Sequence, residues 1–480
     1  MLLDSEQCYR ALTAHDSRFD GRFFVGVSTT GVYCRPVCSA RTPRRANCRF
    51  FPSAAAAEAQ GFRPCLRCRP ELAPGHAAVD ANRRLAQAAA GLIDDGRLGD
   101  EARLPDLART LGVTDRHLRR VFGEEFGVSP VEYAQTQRLL LAKRLLTDTA
   151  LPVIEVALAS GFASLRRFNQ LFRSRYRMTP LALRRAAPAA ARDLLSFDLA
   201  YRPPYDWDAM RDFLARRAIA GVEAVDGRRY LRTVRIERGG KPFTGWIAVA
   251  PSRRTGALCV TASASLARVI PAMLARAKHL LDLASHPDEI AAALGPLAAE
   301  NPGLRLPGAF DGFEVAVRAI LGQQVTVKAA SVIAGRFAEA FGDPLETPHA
   351  FLTRLFPTAV RVAALDPSDI AATGIIASRA RAIAALAKEM AEGRLALDPG
   401  ADVDATLARL ESIPGIGPWT AQYIAMRALA WPDAFPHPDV AVLKAMKETN
   451  ARSAALRADD WRPWRAYAVL HLWKSLEKTP

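Results

Sequence analysis

The spacing of apolar residues divides the chain into two helical parts with a strand-rich part between them. Between residues 79 and 185, apolar positions recur every three or four residues, as on the buried face of amphipathic helices. Three later segments alternate apolar and polar residues, which is typical of half-buried strands, and a helical segment at 207–218 accompanies them. From about residue 290 the helical spacing returns. The strand-like segments are 230–236, 245–249 and 257–260.

The first helical part contains an internal repeat. Each copy, 107–130 and 156–180, has a short apolar helix, a glycine turn, a second amphipathic helix and a closing proline, and the two prolines lie 50 residues apart. This order is typical of helix-turn-helix motifs, whose second helix enters the major groove of DNA. Because most protein–DNA contacts go to phosphates, a solvated basic face without base contacts is the alternative for any one residue. The candidate recognition residues are Arg116, His117, Arg119 and Arg120 in the first copy, and Ser164, Arg166, Arg167 and Asn169 in the second.

The charge balance indicates a polyanionic partner. The 480 residues carry a formal net charge of +16, of which residues 1–195 contribute +11 from 30 basic and 19 acidic side chains. A basic first part suits nucleic acid, and the length allows about three or four domains. No apolar run is long enough to cross a bilayer, and the first residues lack the pattern of a signal peptide. These features predict a cytoplasmic protein without a membrane span.

Four of the seven cysteines form two close pairs, Cys34 with Cys38 and Cys65 with Cys68. Each pair supplies two ligands from one turn, and the loop between the pairs folds back to complete a tetrahedron around one zinc ion. On spacing alone, a zinc ribbon that merely holds a small domain together is the alternative to a reactive site. The other three cysteines are expected to be buried or incidental small residues.

The residues around both pairs resemble the zinc domain of the Ada family, whose members repair methyl phosphotriesters in DNA. In the segments 29–38 and 61–70, cysteines, glycines, prolines and arginines match together, and the likeness covers about the first 75 residues. The resemblance implies that all four thiolates bind zinc and that Cys34 is the methyl acceptor. The helix-turn-helix pair resembles the AraC-type domain that follows the zinc domain in that family. The residues expected near the DNA backbone are Thr30, Arg41 and Arg67, for which an ordinary polar surface is the alternative.

The expected chemistry at Cys34 also changes the charge of the site. A thiolate is the nucleophilic form of cysteine, and zinc keeps it deprotonated at neutral pH. Four thiolates around one divalent cation have a net charge of about −2, which methylation of Cys34 would reduce to about −1. Because DNA is a polyanion, the methylated domain is expected to approach phosphates more easily.

A second motif lies in the last part of the chain. In the segment 410–421, Gly415 and Gly417 flank one apolar residue between two helices, so that backbone N–H groups at the start of the second helix can approach a DNA phosphate. A purely structural turn is the alternative. A proline-rich loop then brings Asp439 to the start of another helix, where an N-cap is the alternative to a catalytic carboxylate.

Residues 197–480 resemble the AlkA family of helix-hairpin-helix methyladenine glycosylases. Short matches occur in order at 203–207, 302–308, 319–323, 410–421, 433–444 and 461–465. The resemblance implies that Asp439 stabilises the positive charge that develops on the sugar as a flipped base leaves. It also implies a monovalent cation at hairpin carbonyls near Ile413. The implied base-pocket residues are Phe213, Trp419, Tyr423 and Trp473, for which packing in a helical core is the alternative.

Three positions refine this expectation. Trp419 stands where lyase members of the superfamily carry a lysine, and it cannot form an imine, so a monofunctional glycosylase is expected. Gln324 stands where the family inserts a leucine into the gap left by the flipped base. Val440 replaces an aromatic residue after Asp439, which bears on pocket shape. The chain lacks the Pro-Cys-His-Arg motif of alkylguanine methyltransferases, so no repair of guanine oxygen is expected.

The predicted fold is multidomain, mainly α with α+β parts. The predicted parts are a small zinc domain (1–75), an AraC-type double helix-turn-helix (79–185), a linker (186–196), an α+β AlkA N-terminal domain (197–283) and an all-α helix-hairpin-helix glycosylase domain (284–480).

The predicted function combines methyl transfer from DNA phosphotriesters to a zinc-bound cysteine, methylation-dependent activation of transcription, and excision of alkylated bases of the methyladenine type. The expected partners are alkylated DNA, promoter DNA and RNA polymerase, in a bacterial cytoplasm at the nucleoid. One alternative is a transcriptional regulator whose glycosylase part only grips DNA. Another is a glycosylase whose zinc domain is inert.

Overall fold

The fold is described from a computed structural model, which covers residues 4–16, 19–73, 81–98, 104–185 and 194–477. The predicted boundaries at 75 and 79 and most of the predicted linker, 186–193, lie outside these residues. Within the described ranges, no helix is both long enough and apolar enough to cross a membrane.

The first unit is a four-stranded sheet with two helices. Its elements are α1 (Ser5–Thr13), β1 (Phe24–Val27), β2 (Val32–Cys34), β3 (Cys48–Phe51), α2 (Ala54–Ala59) and β4 (Arg63–Pro64). The strand order is β3-β1-β2-β4, and β2 runs parallel to β4 with Tyr33 opposite Pro64. Each of these two strands leads directly into one cysteine pair. The parallel pairing therefore brings Cys34 beside Cys65, although 30 residues separate them in sequence.

The second unit is helical, as the apolar spacing predicts. Its elements are α3 (Ala81–Asp94), α4 (Leu104–Thr110), α5 (Asp115–Phe126), α6 (Pro130–Asp148), α7 (Val153–Ala159), α8 (Leu165–Tyr176) and α9 (Pro180–Arg185). Local sequence sets the starts of the helices. The side chains of Thr114 and Ser164 cap α5 and α8, and Ser129 with Glu132 forms a capping box at the start of α6. The turn before α8 uses Gly161 at φ +85°, a conformation that glycine adopts without strain.

The third unit is an antiparallel five-stranded sheet with one helix. Its elements are β5 (Leu194–Ala200), α10 (Trp207–Arg216), β6 (Glu223–Asp226), β7 (Arg229–Arg238), β8 (Lys241–Pro251) and β9 (Ala257–Ser263). The order is β5-β9-β8-β7-β6, and β7, β8 and β9 contain the three strand-like segments seen in the sequence. Strand β5 begins at Leu194, inside the last three residues of the predicted linker, because Leu195 and Phe197 already point into the core. One continuous core joins Phe172 of α8, Phe197 of β5 and Met273.

The last unit is helical and contains two further cores. Its elements are α11 (Ile270–Leu280), α12 (Pro287–Leu294), α13 (Pro296–Ala299), α14 (Gly312–Leu321), α15 (Val327–Phe341), α16 (Ala359–Ala363), α17 (Pro367–Ala372), α18 (Ala377–Ala391), α19 (Val403–Glu411), α20 (Pro418–Ala428), α21 (Val440–Met446), α22 (Ala451–Arg457) and α23 (Arg465–Glu477). One core lies among α14, α18 and α20, and the other among α12, α21 and α23. Tyr423 packs against both cores and therefore marks their junction.

Helix α6 packs along one face against the first unit, which contains the cysteine pairs and is called the zinc unit below. Thr136, Lys143 and Thr147 recur at intervals of seven and four residues, which places them on the same side of a helix. Lys143 is almost fully buried, with 1% of its surface exposed. The zinc unit is thus bonded to the helix that connects the two helix-turn-helix motifs. The bonds join Glu58 to Thr136 (3.1 Å), Glu71 to Lys143 (2.7 Å) and Arg69 to Thr147 (3.4 Å).

Neutralising Glu71 is expected to destabilise this interface strongly. Glu71→Gln leaves the ammonium of Lys143 buried without a counter-charge, at a cost of about 3–5 kcal/mol. Thermal unfolding of the full chain should show a lower midpoint for this variant. The matched control, Glu71→Leu with Lys143→Met, removes both charges and should recover most of the midpoint. A single variant as stable as the wild type would contradict a buried ion pair at this position.

Candidate functional sites

The four predicted zinc ligands converge at one edge of the first sheet. Their Sγ atoms all lie within 4.8 Å of one another, the four residues are buried, and none forms a disulfide. Zinc–sulfur bonds of about 2.3 Å in a tetrahedron require sulfur–sulfur separations of about 3.8 Å, so the cluster has the right size. Hydrogen bonds with neighbouring sulfurs raise the pKa of Cys34, and the bond with Cys34 lowers the pKa of Cys38 to about 7. A divalent cation is what allows all four sulfurs to be thiolates together.

A buried arginine supports this cluster, and sequence reasoning did not find it. The backbone N–H of Arg35 donates to Sγ of Cys68 (3.4 Å), and its guanidinium donates to the Cys68 carbonyl (3.1 Å). The same guanidinium is paired with Asp20. Burial lowers the pKa of Arg35, but the hydrogen bond and negative charge of Asp20, together with the negative charges of Cys68 and Glu71, outweigh burial and raise it overall. A permanent positive charge therefore lies beside the thiolates. Only the adjacency of Arg35 to Cys34 could have signalled this role.

The predicted DNA contacts of the zinc unit lie at the surface. Thr30, Arg41 and Arg67 are all exposed. The hydroxyl of Thr30 donates to the carbonyl of Val27 (3.4 Å), within its own turn. Their position is compatible with contacts to a DNA backbone, and their role stays a prediction.

The two recognition helices differ in charge. Helix α5 carries three arginines and three acidic residues, and Arg119 and Arg120 pair with acids one turn away at 3.9 Å and 2.9 Å. Helix α8 carries four arginines and no acid, with Arg166 and Arg167 exposed near its start. Helix α8 therefore has the more positive surface of the two, and a positive surface attracts phosphates.

The glycine hairpin leaves the start of α20 open. Gly415 has φ +94°, and a Cβ atom there would approach Cβ of Ala382 to 3.1 Å, so glycine suits this position. Gly417 is the N-cap of α20, and no side chain occupies the cap. Both glycines are exposed. Backbone N–H groups at such a helix start can bind a phosphate.

Asp439 lies at the N-terminus of α21 and is bonded to three elements. Its Oδ1 accepts hydrogen bonds from the backbone N–H of Val442 (2.9 Å) and from the indole of Trp473 (3.1 Å). Its Oδ2 accepts a hydrogen bond from the indole of Trp419 (2.8 Å). A carboxylate offers about four acceptor positions, so one position on Oδ2 is left for another partner. The side chain is both an N-cap and part of the pocket.

Two of the four predicted pocket aromatics, Trp419 and Trp473, bond to Asp439, and a third, Tyr423, packs against both of their rings. Trp419 and Tyr423 are stacked, with ring centroids 5.3 Å apart and an interplanar angle of 14°, and Trp473 lies 6.3 Å from Tyr423. Phe213 is connected to these rings through Arg427, whose guanidinium contacts both the ring of Phe213 (5.2 Å) and the ring of Tyr423 (5.6 Å). Whether Phe213 contacts a base stays a prediction.

The buried Arg427 is a further residue that the sequence did not reveal. It donates to the Tyr423 hydroxyl (2.9 Å) and to the carbonyls of Pro307 (2.8 Å) and Gly308 (3.0 Å). Burial raises the pKa of Tyr423, but the charges of Arg427, Arg217 and Arg318 and the hydrogen bond from Arg427 together outweigh burial and lower it overall. Tyr423 is thus fixed by a hydrogen bond from Arg427 and lies close to positive charge.

Gln324 lies on the surface of the protein, whereas Asp433 is buried in a group of ion pairs. Gln324 is exposed between α14 and α15, at φ +55°. Asp433 is buried and paired with Arg465 (2.7 Å) and Arg462, which is a structural arrangement. Val440, next to Asp439, has 80% of its surface exposed and so does not close the pocket.

Four family models match successive parts of the chain. They are the metal binding domain of Ada (residues 7–71), a helix-turn-helix domain (107–186), the AlkA N-terminal domain (196–311) and the HhH-GPD superfamily of base excision DNA repair proteins (317–461). The fold of the C-terminal part is that of the 3-methyladenine DNA-glycosylase from Archaeoglobus fulgidus. That structure has a TM-score of 0.50, is 20% identical, and the match covers 59% of this chain and 98% of that chain.

Two relatives cover different shares of the sequence. DNA-3-methyladenine glycosylase 2 of Escherichia coli is 37% identical over 277 residues, which are 58% of this chain and 96% of the relative. The probable bifunctional transcriptional activator/DNA repair enzyme AlkA of Mycobacterium tuberculosis is 39% identical over 490 residues, covering 99% of this chain and 97% of the relative. The chain therefore belongs to the family of this bifunctional transcriptional activator and DNA repair enzyme.

Proposed function

We propose that the chain excises alkylated bases from DNA as a monofunctional glycosylase, transfers methyl groups from DNA phosphotriesters to Cys34, and activates transcription once methylated. The observation that carries the excision activity is the carboxylate of Asp439, held by two indole N–H groups beside stacked aromatic rings. An anion and an aromatic surface at one place suit the removal of an electron-poor base from a sugar.

Excision follows from this geometry in one chemical step. A flipped alkylated purine stacks on the rings of Trp419 and Tyr423, and the hairpin at Gly415 and Gly417 holds a nearby phosphate. As the N-glycosidic bond breaks, its electron pair stays with the base, and positive charge develops on the sugar. Asp439 stabilises that charge, and its remaining acceptor position orients a water molecule. The water oxygen bonds to the sugar carbon, and the proton of the water passes to the carboxylate and then to solvent. Trp419 cannot form an imine, so the product is an abasic site in an intact strand.

Methyl transfer uses the other end of the chain. Cys34, Cys38, Cys65 and Cys68 would hold the zinc ion, which keeps the sulfurs deprotonated at neutral pH. The thiolate of Cys34 attacks the methyl carbon of a phosphotriester. A sulfur–carbon bond forms, the carbon–oxygen bond breaks, and its electron pair remains on the phosphate oxygen. The product is a thioether, so the reaction is stoichiometric and the cluster loses one negative charge.

Loss of that charge supports a switch in DNA binding. A less negative zinc unit is repelled less by phosphates, and it is bonded to the helix that joins the two helix-turn-helix motifs. Methylation would therefore strengthen binding of α5 and α8 to promoter DNA and place the chain beside RNA polymerase. A monovalent cation at the hairpin carbonyls near Ile413 remains part of the proposal.

Asp439→Asn separates catalysis from helix capping. Asparagine caps a helix as well as aspartate but has no charge. We expect release of methyladenine from methylated duplex DNA to fall at least about 100-fold. Because the NH2 group of asparagine cannot accept from the indole of Trp419, the free energy of unfolding should fall by about 1 kcal/mol, the contribution of one hydrogen bond. Chromatography of the released base measures the effect. Wild-type activity in the variant would exclude a catalytic role for Asp439, and no release by the wild type would favour the regulator whose glycosylase part only grips DNA.

Trp473→Phe keeps the aromatic ring and removes one N–H donor to Asp439. Because a hydrogen bond to a charged group contributes about 1.5–3 kcal/mol, single-turnover excision should slow about 10- to 100-fold. Trp461→Phe, in the packed core beside α23, is the matched control and should excise at the wild-type rate. Equal rates for both variants would mean that the indole N–H does not position Asp439.

Cys34→Ser tests the methyl acceptor. Incubation with DNA that carries labelled methyl phosphotriesters should transfer up to one methyl group per wild-type chain and none to the variant. The control Cys259→Ser lies outside the cluster and should accept methyl normally. Label on the Cys34 variant would place the acceptor elsewhere. A wild type that excises bases but accepts no methyl would favour the glycosylase with an inert zinc domain.

A further inference from the structure

Two neighbouring glutamines between α14 and α15 have opposite environments. The Nε2 group of Gln323 donates to the carbonyl of Gly415 (2.9 Å) and to Oγ1 of Thr420 (2.9 Å). A carbonyl only accepts, so the nitrogen of the amide must face Gly415, and both of its hydrogens are used. The side chain of Gln323 therefore bonds its loop to the glycine hairpin and to the first turn of α20.

The main chain of Gln323 is fixed as well. The guanidinium of Arg379, on α18, donates to its carbonyl oxygen. Its N–H donates to the carbonyl of Ile320 (3.3 Å), at the end of α14. The loop is thus held from three helices at a single residue, on both its side chain and its backbone.

Gln324 differs from Gln323 in its exposure, its hydrogen bonds and its backbone conformation. It is exposed, and no hydrogen bond of its side chain occurs among the described residues. Its φ of +55° lies in the left-handed region, which costs a residue other than glycine roughly 1–2 kcal/mol. The backbone on its other side is fixed by Thr326, which caps α15 by accepting from the N–H of Ala329 (3.2 Å). A strained turn persists only where flanking contacts impose it.

We propose that Gln323 is the positioning residue that sets the left-handed turn at Gln324 relative to the hairpin. The amide of Gln323 fixes the distance between two groups. One is the side chain of Gln324, which fills the gap left by a flipped nucleotide, and the other is the set of backbone N–H groups at the Gly415–Gly417 hairpin, which hold the phosphate. Gln323 itself touches neither base nor sugar. This inference rests on the proposed excision activity, and it assigns the two glutamines separate roles. Gln324 enters the duplex, and Gln323 holds Gln324 at a fixed position relative to the glycine hairpin.

The test compares one alkylated purine in two settings. In a fully paired duplex the base must leave a gap that Gln324 fills, whereas in a bulge without an opposing nucleotide there is little gap to fill. For Gln323→Ala, we expect kcat/KM to fall about 10- to 30-fold on the duplex, the equivalent of two neutral hydrogen bonds. On the bulge the loss should stay below about threefold, since the hairpin and Asp439 are unchanged.

Three further variants sharpen the comparison. Gln323→Glu has the same shape but cannot donate to Gly415, so its selective loss should equal or exceed that of Gln323→Ala. Gln324→Ala should show the same preference for the bulge. The double variant Gln323→Ala with Gln324→Ala should have the same kcat/KM on the duplex as Gln324→Ala alone, because both changes remove the same function, the filling of the gap.

The outcomes are distinguishable. Equal losses on duplex and bulge, or independent losses that add in the double variant, would overturn the positioning role while leaving the excision activity intact. A wild type that releases no base from either substrate would overturn the excision activity and the role of Gln323 together.

Discussion

The candidate glycosylase site depends on one carboxylate that three helices share. Asp439 caps α21 through Val442 and accepts the indole N–H groups of Trp419 on α20 and Trp473 on α23. Each indole N–H lies in the plane of its ring, so a bond to a fixed oxygen also fixes the direction of that ring. Capping and catalysis are therefore compatible roles. In the proposed excision, the hydrogen bonds that cap α21 and orient the two rings would also hold the anion beside the sugar.

A second set of buried polar groups organises the regulatory half. Glu58, next to the core of the zinc unit, accepts from Tyr33 (2.9 Å) and from Thr136 on α6, and burial raises its pKa to about 7. Tyr33 directly precedes Cys34 in β2. The proposed methyl acceptor, Cys34, is thus connected to α6 through Tyr33, Glu58 and Thr136. Because one core also joins α8 to the five-stranded sheet, the regulatory and repair halves meet through packed surfaces as well as through the chain.

Features that depend on short stretches of sequence could be predicted, and those that depend on distant residues could not. The cysteine pairs, the glycine hairpin and the capped recognition helices each follow from neighbouring residues. The pairing of Arg35 with Asp20, the bond of Arg427 to the carbonyl of Pro307 and the bond of Gln323 to Gly415 join residues that are far apart in sequence, and no local spacing signals them. Strand β6 was missed for a related reason. It is four residues long, and only its register with β7 makes it a strand.

The two groups proposed to react, the Cys34 thiolate and the Asp439 carboxylate, are anions that would act on polyanionic DNA, and the structure offsets their charge in different ways. Around the cysteines, full charges lie close by: the guanidinium of Arg35, which is also paired with Asp20, donates to the carbonyl of Cys68, and residues 1–195 carry a net charge of +11. Around Asp439 the offset comes from dipoles, namely two indole N–H groups and the N-terminus of α21, with no cation bonded to the carboxylate among the described residues. This difference suits the two chemistries. A nucleophile that is consumed can be held by full charges, whereas an anion that stabilises a sugar cation must keep its own charge uncancelled so that it acts on the transition state.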